Sequence, residues 1–179
     1  MPTSYSLPNK IDPFRSADHA VNLHGTLLIK DMQRLCGSLS TDEGDVTVSL
    51  QFGVNDEGVR YLQGHLETNV MLQCQRCMGS FKYGIISDLL VGIVHTEEEA
   101  AELSATYDPV IAKEGMLILS DVIEDELIIS LPIVPMHDLP ACKVKLPLVA
   151  SSGSAAEVEK SNPFNVIELL RTERNPKKE

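Results

Sequence analysis

Tryptophan is absent, and four Phe with four Tyr are the only aromatic residues. A core must therefore be assembled mainly from Leu, Ile and Val. No stretch reaches the ~18 uninterrupted apolar residues of a membrane-spanning helix, so no such helix is expected. The opening residues, Met1-Pro2-Thr3-Ser4-Tyr5-Ser6-Leu7-Pro8, hold no charged segment followed by an apolar run, and a soluble cytoplasmic protein is expected. A Gly-x4-Gly-Lys-Ser/Thr loop and a Gly-x-Gly-x-x-Gly turn are both missing, which leaves nucleotide binding without a warrant. Positive charge is scarce: 15 Lys and Arg stand against 26 Asp and Glu, a formal charge of −11. The whole-molecule field then repels polyanions, so contact with RNA requires a local basic patch or a protein intermediary. The candidate patches are Lys143 with Lys145 and the terminal Arg171, Arg174, Lys177 and Lys178, although ordinary solubilising charge is the simpler reading of both.

What is present is a globular composition. At 179 residues, 43% of them apolar, the chain is long enough to bury a real core in one domain with tails. Pro2, Pro8 and Pro13 remove backbone donors, so residues 1–19 are expected to form an extended N-terminal arm. Residues 20–146 form the expected core domain. Val21, Leu23, Gly25 and Leu27 alternate with Asn22, His24 and Thr26 at strand period, and Met32, Leu35 and Cys36 follow at near-helical spacing behind Asp31. Val46, Val48, Leu50 and Phe52, the turn Asn55-Asp56-Glu57-Gly58, and then Val59, Tyr61 and Leu66 compose the clearest hairpin. The alternation runs on through Leu72 to Cys74, which places a cysteine at a strand end.

Residues 81–94 fit one long bent strand or two short ones around Gly84 and Gly92, and the acidic run at 96–102 reads as a solvated loop or frayed helix. Ser120, Asp121 and Glu124 resemble a capping box ahead of a helix from Asp121 to Leu131, with Asp121 and Asp125 on its wetter side and Pro132 ending it. Small polar residues at 147–161 signal a flexible linker, and Asn162-Pro163-Phe164 opens a short helix before a charged tail, 162–179. The expected architecture is α+β: a mainly antiparallel sheet or open barrel over 20–95, a helix packed on it, and a flexible C-terminal segment.

The chemistry concentrates in cysteine. Cys74-x2-Cys77 followed by Gly79 has the form of a zinc knuckle, in which two thiolates reach one metal from a tight turn. His137 and Cys142, in a proline-bounded loop, would complete a closed Cys3His site, structural because it leaves no coordination position vacant. Two other readings stand beside it: reduced thiols with no metal, and a thioredoxin-like redox pair, although that motif should open a helix and Met78-Gly79-Ser80-Phe81 leads into a strand pattern. Cys36 is a reserve ligand or a core thiol. His19, His24, His65 and His95 lie apart in sequence and suggest no catalytic constellation.

The order of Cys74-Gln-Arg-Cys77 after a strand, Val122-Ile-Glu-Asp-Glu-Leu-Ile-Ile-Ser-Leu-Pro132, Val134-Pro-Met-His137, Cys142 and Asn162-Pro-Phe164 resembles the bacterial YceD family over nearly the whole chain. The resemblance implies a non-enzymatic part in accumulation of large-subunit 23S ribosomal RNA, through its synthesis, processing or stability. It also implies a ribosomal or assembly protein, or a pre-ribosomal particle, as partner. Many relatives carry cysteine at the position of His137 and a further cysteine pair after that of Cys142. Here Lys143-Val-Lys-Leu-Pro147 runs on without one, a departure that bears on metal binding in this branch. The competing functional class is a protein-binding module unrelated to ribosomes, docking through the Asn-Pro-Phe helix.

Overall fold

The computed structural model describes residues 7–142. The expected linker at 147–161, the C-terminal helix and its Asn162-Pro163-Phe164 motif lie outside the described residues. At the N-terminal end, β1 (Lys10–Ile11) pairs antiparallel with a later strand, and then the chain turns into α1 (Pro13–Asp18). This corrects the expectation of an extended arm through residue 19. Proline at the first helical position loses no hydrogen bond, and the Asp12 carboxylate accepts from the Arg15 amide at 3.0 Å, so the residues that suggested extension instead start a helix.

The body is a five-stranded sheet. β2 (Asn22–Leu28) leads through a 3₁₀ turn into the short α2 (Gln33–Cys36), followed by β3 (Asp45–Val54), β4 (Arg60–Gln73) and β5 (Ser80–Val94). After α3 (Glu97–Glu102) come β6 (Asp108–Ile111), β7 (Leu117–Ile118), the partner of β1, and α4 (Leu119–Ile129). The order across the sheet is β2-β3-β4-β5-β6. The first three pairings are antiparallel and β5 with β6 is parallel, so the sheet is open, not a closed barrel. β5 is one continuous strand.

Period-2 alternation decides which side chains go inside. Val46, Val48, Leu50 and Phe52 of β3 and Leu62, Leu66, Val70 and Leu72 of β4 are all buried, whereas their neighbours face outward. At Gly64 a Cβ would stand 2.7 Å from Leu50 Cδ2 and 2.9 Å from Leu89 Cγ, so only glycine lets three strands approach there. The β3–β4 turn is held by Asn55, whose side-chain oxygen accepts from the Val59 amide at 2.8 Å. α4 covers the inner face with Leu119, Ile123 and Leu127, and Asp121 and Asp125 stay exposed. Among the described residues no helix is long and apolar enough to cross a membrane.

The helix caps differ from expectation. α4 starts at Leu119 with no side-chain cap, and the Ser120 hydroxyl donates to Asn9 Oδ1 at 3.2 Å. Glu124, expected to close a local capping box, is buried and accepts from the Arg34 and Leu35 amides of α2 at 2.7 and 3.0 Å. One carboxylate thus serves the start of a distant helix, and Asp31 does not cap it. Arg34 adds a 2.9 Å ion pair to Glu124 and a second to Asp125. Burial alone would raise the Glu124 carboxyl, but the Leu35 amide and the Arg34 contacts outweigh it and hold it below the ordinary carboxylate value. The acidic run folds as α3, a solvated helix with no buried residue, whose Thr96 accepts from the Glu99 amide while Glu99 accepts from the His95 amide.

Candidate metal centre

The β4–β5 connection is a knuckle. Cys74 donates its amide to the Gly79 carbonyl at 2.9 Å, and the Met78 amide donates back to the Cys74 carbonyl at 2.8 Å. Closing so tight a loop requires a left-handed residue. That residue is Met78, at φ 59°. The amides then point inward: burial alone would push the Cys74 thiol up, but backbone N–H groups of Cys77, Arg76 and His137 directed at its sulfur more than offset this, and its pKa is lowered. Cys74 is fully buried.

The second half arrives after α4. The Pro135 carbonyl accepts from the Gln75 amide at 2.9 Å, which ties the returning loop to the knuckle. His137 Nε2 lies 3.1 Å from Cys77 Sγ, and its Nδ1 lies 3.2 Å from the Asp138 carbonyl. With the proton on Nδ1, that carbonyl is satisfied and Nε2 presents its lone pair toward the cysteines. The ring also stands edge-on to Phe81, 5.4 Å between centroids. A 3₁₀ turn, Leu139–Ala141, delivers Cys142.

Cys74, Cys77, His137 and Cys142 thereby bring their donor atoms within 4.8 Å of one another. Tetrahedral zinc, with Zn–S near 2.3 Å and Zn–N near 2.0 Å, spaces its donors roughly 3.5 to 3.8 Å apart. Shifts of about an ångström convert one arrangement into the other, and the N–H groups around Cys74 favour the thiolate that a metal needs. The cluster can therefore hold a metal ion. Cys36 is remote in role: its thiol donates to the Ile29 carbonyl at 3.2 Å, and burial first and Asp42 second push it up, as suits a thiol packed against the core.

The histidines apart in sequence are not all apart in space. Strand register sets His24, Ser49, His65 and Asp88 in one cross-strand row on the outer sheet face. Two pairs form there, His24 with Ser49 at 3.0 Å and His65 with Asp88 at 2.6 Å. Only register could have revealed this row. With His65 and Asp88 side chains 52% and 79% exposed, it is an open polar surface and not an enclosed catalytic site.

Fold and cluster together define the class: an α+β protein whose open sheet carries a Cys3His cluster between a hairpin tip and the loop after its covering helix. The family model described as "Large ribosomal RNA subunit accumulation protein YceD" matches residues 62–171, a span that contains both halves of the cluster. A protein of that same description from Haemophilus influenzae is 30% identical over 167 residues, covering 92% of this chain and 96% of its own length. The chain belongs to the YceD family. No solved structure matches it significantly.

Proposed function

We propose that this protein is a cytoplasmic, non-enzymatic factor supporting accumulation of large-subunit 23S ribosomal RNA, acting through a ribosomal or assembly protein, or on a pre-ribosomal particle. The observation that carries this reading is the end-to-end match to a relative named for that role, over 92% of this chain. Charge agrees with it: at −11 the molecule is unsuited to coating RNA, so a protein-mediated part is physically easier. Deleting the gene and profiling precursor and mature rRNA tests the proposal. A fall in mature 23S RNA, restored by the intact gene, is expected, and unchanged large-subunit RNA overturns it.

In this reading Cys74, Cys77, His137 and Cys142 hold one structural zinc ion. Zinc would supply a redox-inert cross-link, and four protein ligands leave no position for substrate. The chain's own residues do the rest: the amides of Arg76 and Cys77 stabilise the Cys74 thiolate, and the Asp138 carbonyl orients His137. Metal analysis of protein purified without chelator should give about one zinc per chain, lost in Cys74→Ser. Metal-free protein with the fold intact would remove the clamp from the proposal and leave the rRNA role standing.

A further inference from the structure

Between α4 and the β6 edge of the sheet lies an open groove of about 910 Å³ that the metal centre does not use. Its base is closed by the buried Leu89 and Val91 of β5 and Leu117 of β7, and the apolar surface it leaves open is that of Ile111, Met116 and Ile129, 37%, 40% and 78% exposed. Carboxylates surround this surface. Asp108, Glu114, Asp121 and Glu126 line the groove against Lys10 and Lys113, while Asp125 and Arg34, which also line it, are paired with each other. Asp108, Glu114 and Asp121 stand exposed at the mouth.

We propose that this groove is the docking site for a Lys/Arg-rich segment of an RNA-binding protein, one that carries apolar side chains between its basic ones. The proposal rests on the rRNA reading above and names its partner class. Charge complementarity selects the occupant. A phosphate backbone is repelled by the carboxylates at the mouth, and an acidic peptide equally so. A purely cationic peptide would leave Ile111, Met116 and Ile129 in water, whereas an apolar-basic segment covers them and meets the carboxylates. Proteins that bind ribosomal RNA must carry basic segments to neutralise phosphates. A groove of opposite charge would hold such a segment until RNA displaces it.

The groove walls are built before any partner arrives: α4 is anchored by Leu119, Ile123 and Leu127, and β6 is hydrogen-bonded to β5 from Asp108 to Ile111. The test is titration of the full-length protein with a fluorescent peptide of about 14 residues alternating Leu and Lys. Leu/Glu and Ser/Lys versions and a single-stranded RNA oligonucleotide serve as comparison probes. The Leu/Lys peptide should bind, weaken as salt rises, and outcompete all three. The triple reversal Asp108→Lys, Glu114→Lys, Asp121→Lys should weaken it about tenfold, from three rim charges worth roughly 0.5 kcal/mol each. The matched reversal Glu97→Lys, Glu98→Lys, Glu102→Lys on α3 carries the same change in net charge and should weaken it less than about twofold. Equal losses in both triples, equal binding of the Ser/Lys peptide, or preferential binding of RNA would overturn the proposal. Should the reversed triple unfold, the neutral triple Asp108→Asn, Glu114→Gln, Asp121→Asn carries the same expectation at a smaller fold-change. Loss of Leu/Lys binding in the groove triple, in a protein whose deletion leaves rRNA unchanged, would sink the rRNA reading and keep the groove.

Discussion

The sheet with its covering helix and the loop that carries His137 are held by different physics. In the first, Phe52, Leu66 and Leu127 are fully buried, and order follows from apolar area removed from water. In the second, Ile133 is 100% exposed, with Val134, Met136 and Leu139 at 53%, 48% and 59%. That loop buries too little to order itself. Its links to the body include the Pro135 carbonyl on Gln75, the Met136 sulfur on Arg76, the His137 amide on Cys74 and the His137 ring near Cys77 and Phe81. The contrast teaches that the body is ordered by its core and the loop by a few polar and ring contacts around the cluster.

The largest expected effect breaks the body. Leu66→Ala removes a fully buried side chain of β4 and should cost about 3 to 4 kcal/mol in denaturant unfolding. The cost should be the same with or without a chelator. A loss that depends on the chelator would mean the two regions are one cooperative unit.

Next in size is Glu124→Ala, which leaves the Arg34 and Leu35 amides without their acceptor and should cost about 2 to 3 kcal/mol at neutral pH. Because the folded-state carboxyl lies below its ordinary value of 4.5, the unfolded chain takes up the proton first as pH falls. Glu124 therefore stabilises fully above about pH 4.5 and progressively less below it. Unfolding curves of wild type and variant should converge in acid, and curves that diverge there would contradict the assigned cause.

Metal removal, or Cys74→Ser, sharpens the comparison from the other side. Amide hydrogen exchange should quicken at Gln75, Ala141 and Cys142 while β3 and β4 keep their protection. Exchange that quickens throughout the sheet would show that the cluster supports the body as well. The smallest effect belongs to Cys36→Ala, a loss of no more than about 1 kcal/mol with metal content unchanged, read by melting and metal analysis together.

Much of the body was legible because alternation is a local property. The faces of β3 and β4 follow from Val46 to Phe52 and from Leu62 to Leu72 taken two at a time, and the Asn55-Gly58 turn joins them. The knuckle at Cys74 and Cys77 was legible for the same reason: both thiols sit within one turn. The helix at Pro13 was not, since proline suits an extended arm and a helix start equally well.

The sequence by itself determined which residues can go inside, where the strands turn, and that Cys74 and Cys77 lie within one turn; the fold brought His137 and Cys142 to them. Tertiary structure alone decided that β5 and β6 run parallel, that Glu124 caps α2 and not its own helix, that His24, Ser49, His65 and Asp88 form one row, and that α4 and β6 enclose an acid-rimmed groove. The reason is physical. Side-chain period is set by neighbours two to four residues apart, whereas a distant partner is chosen by the packing of the whole chain, which local pattern does not encode.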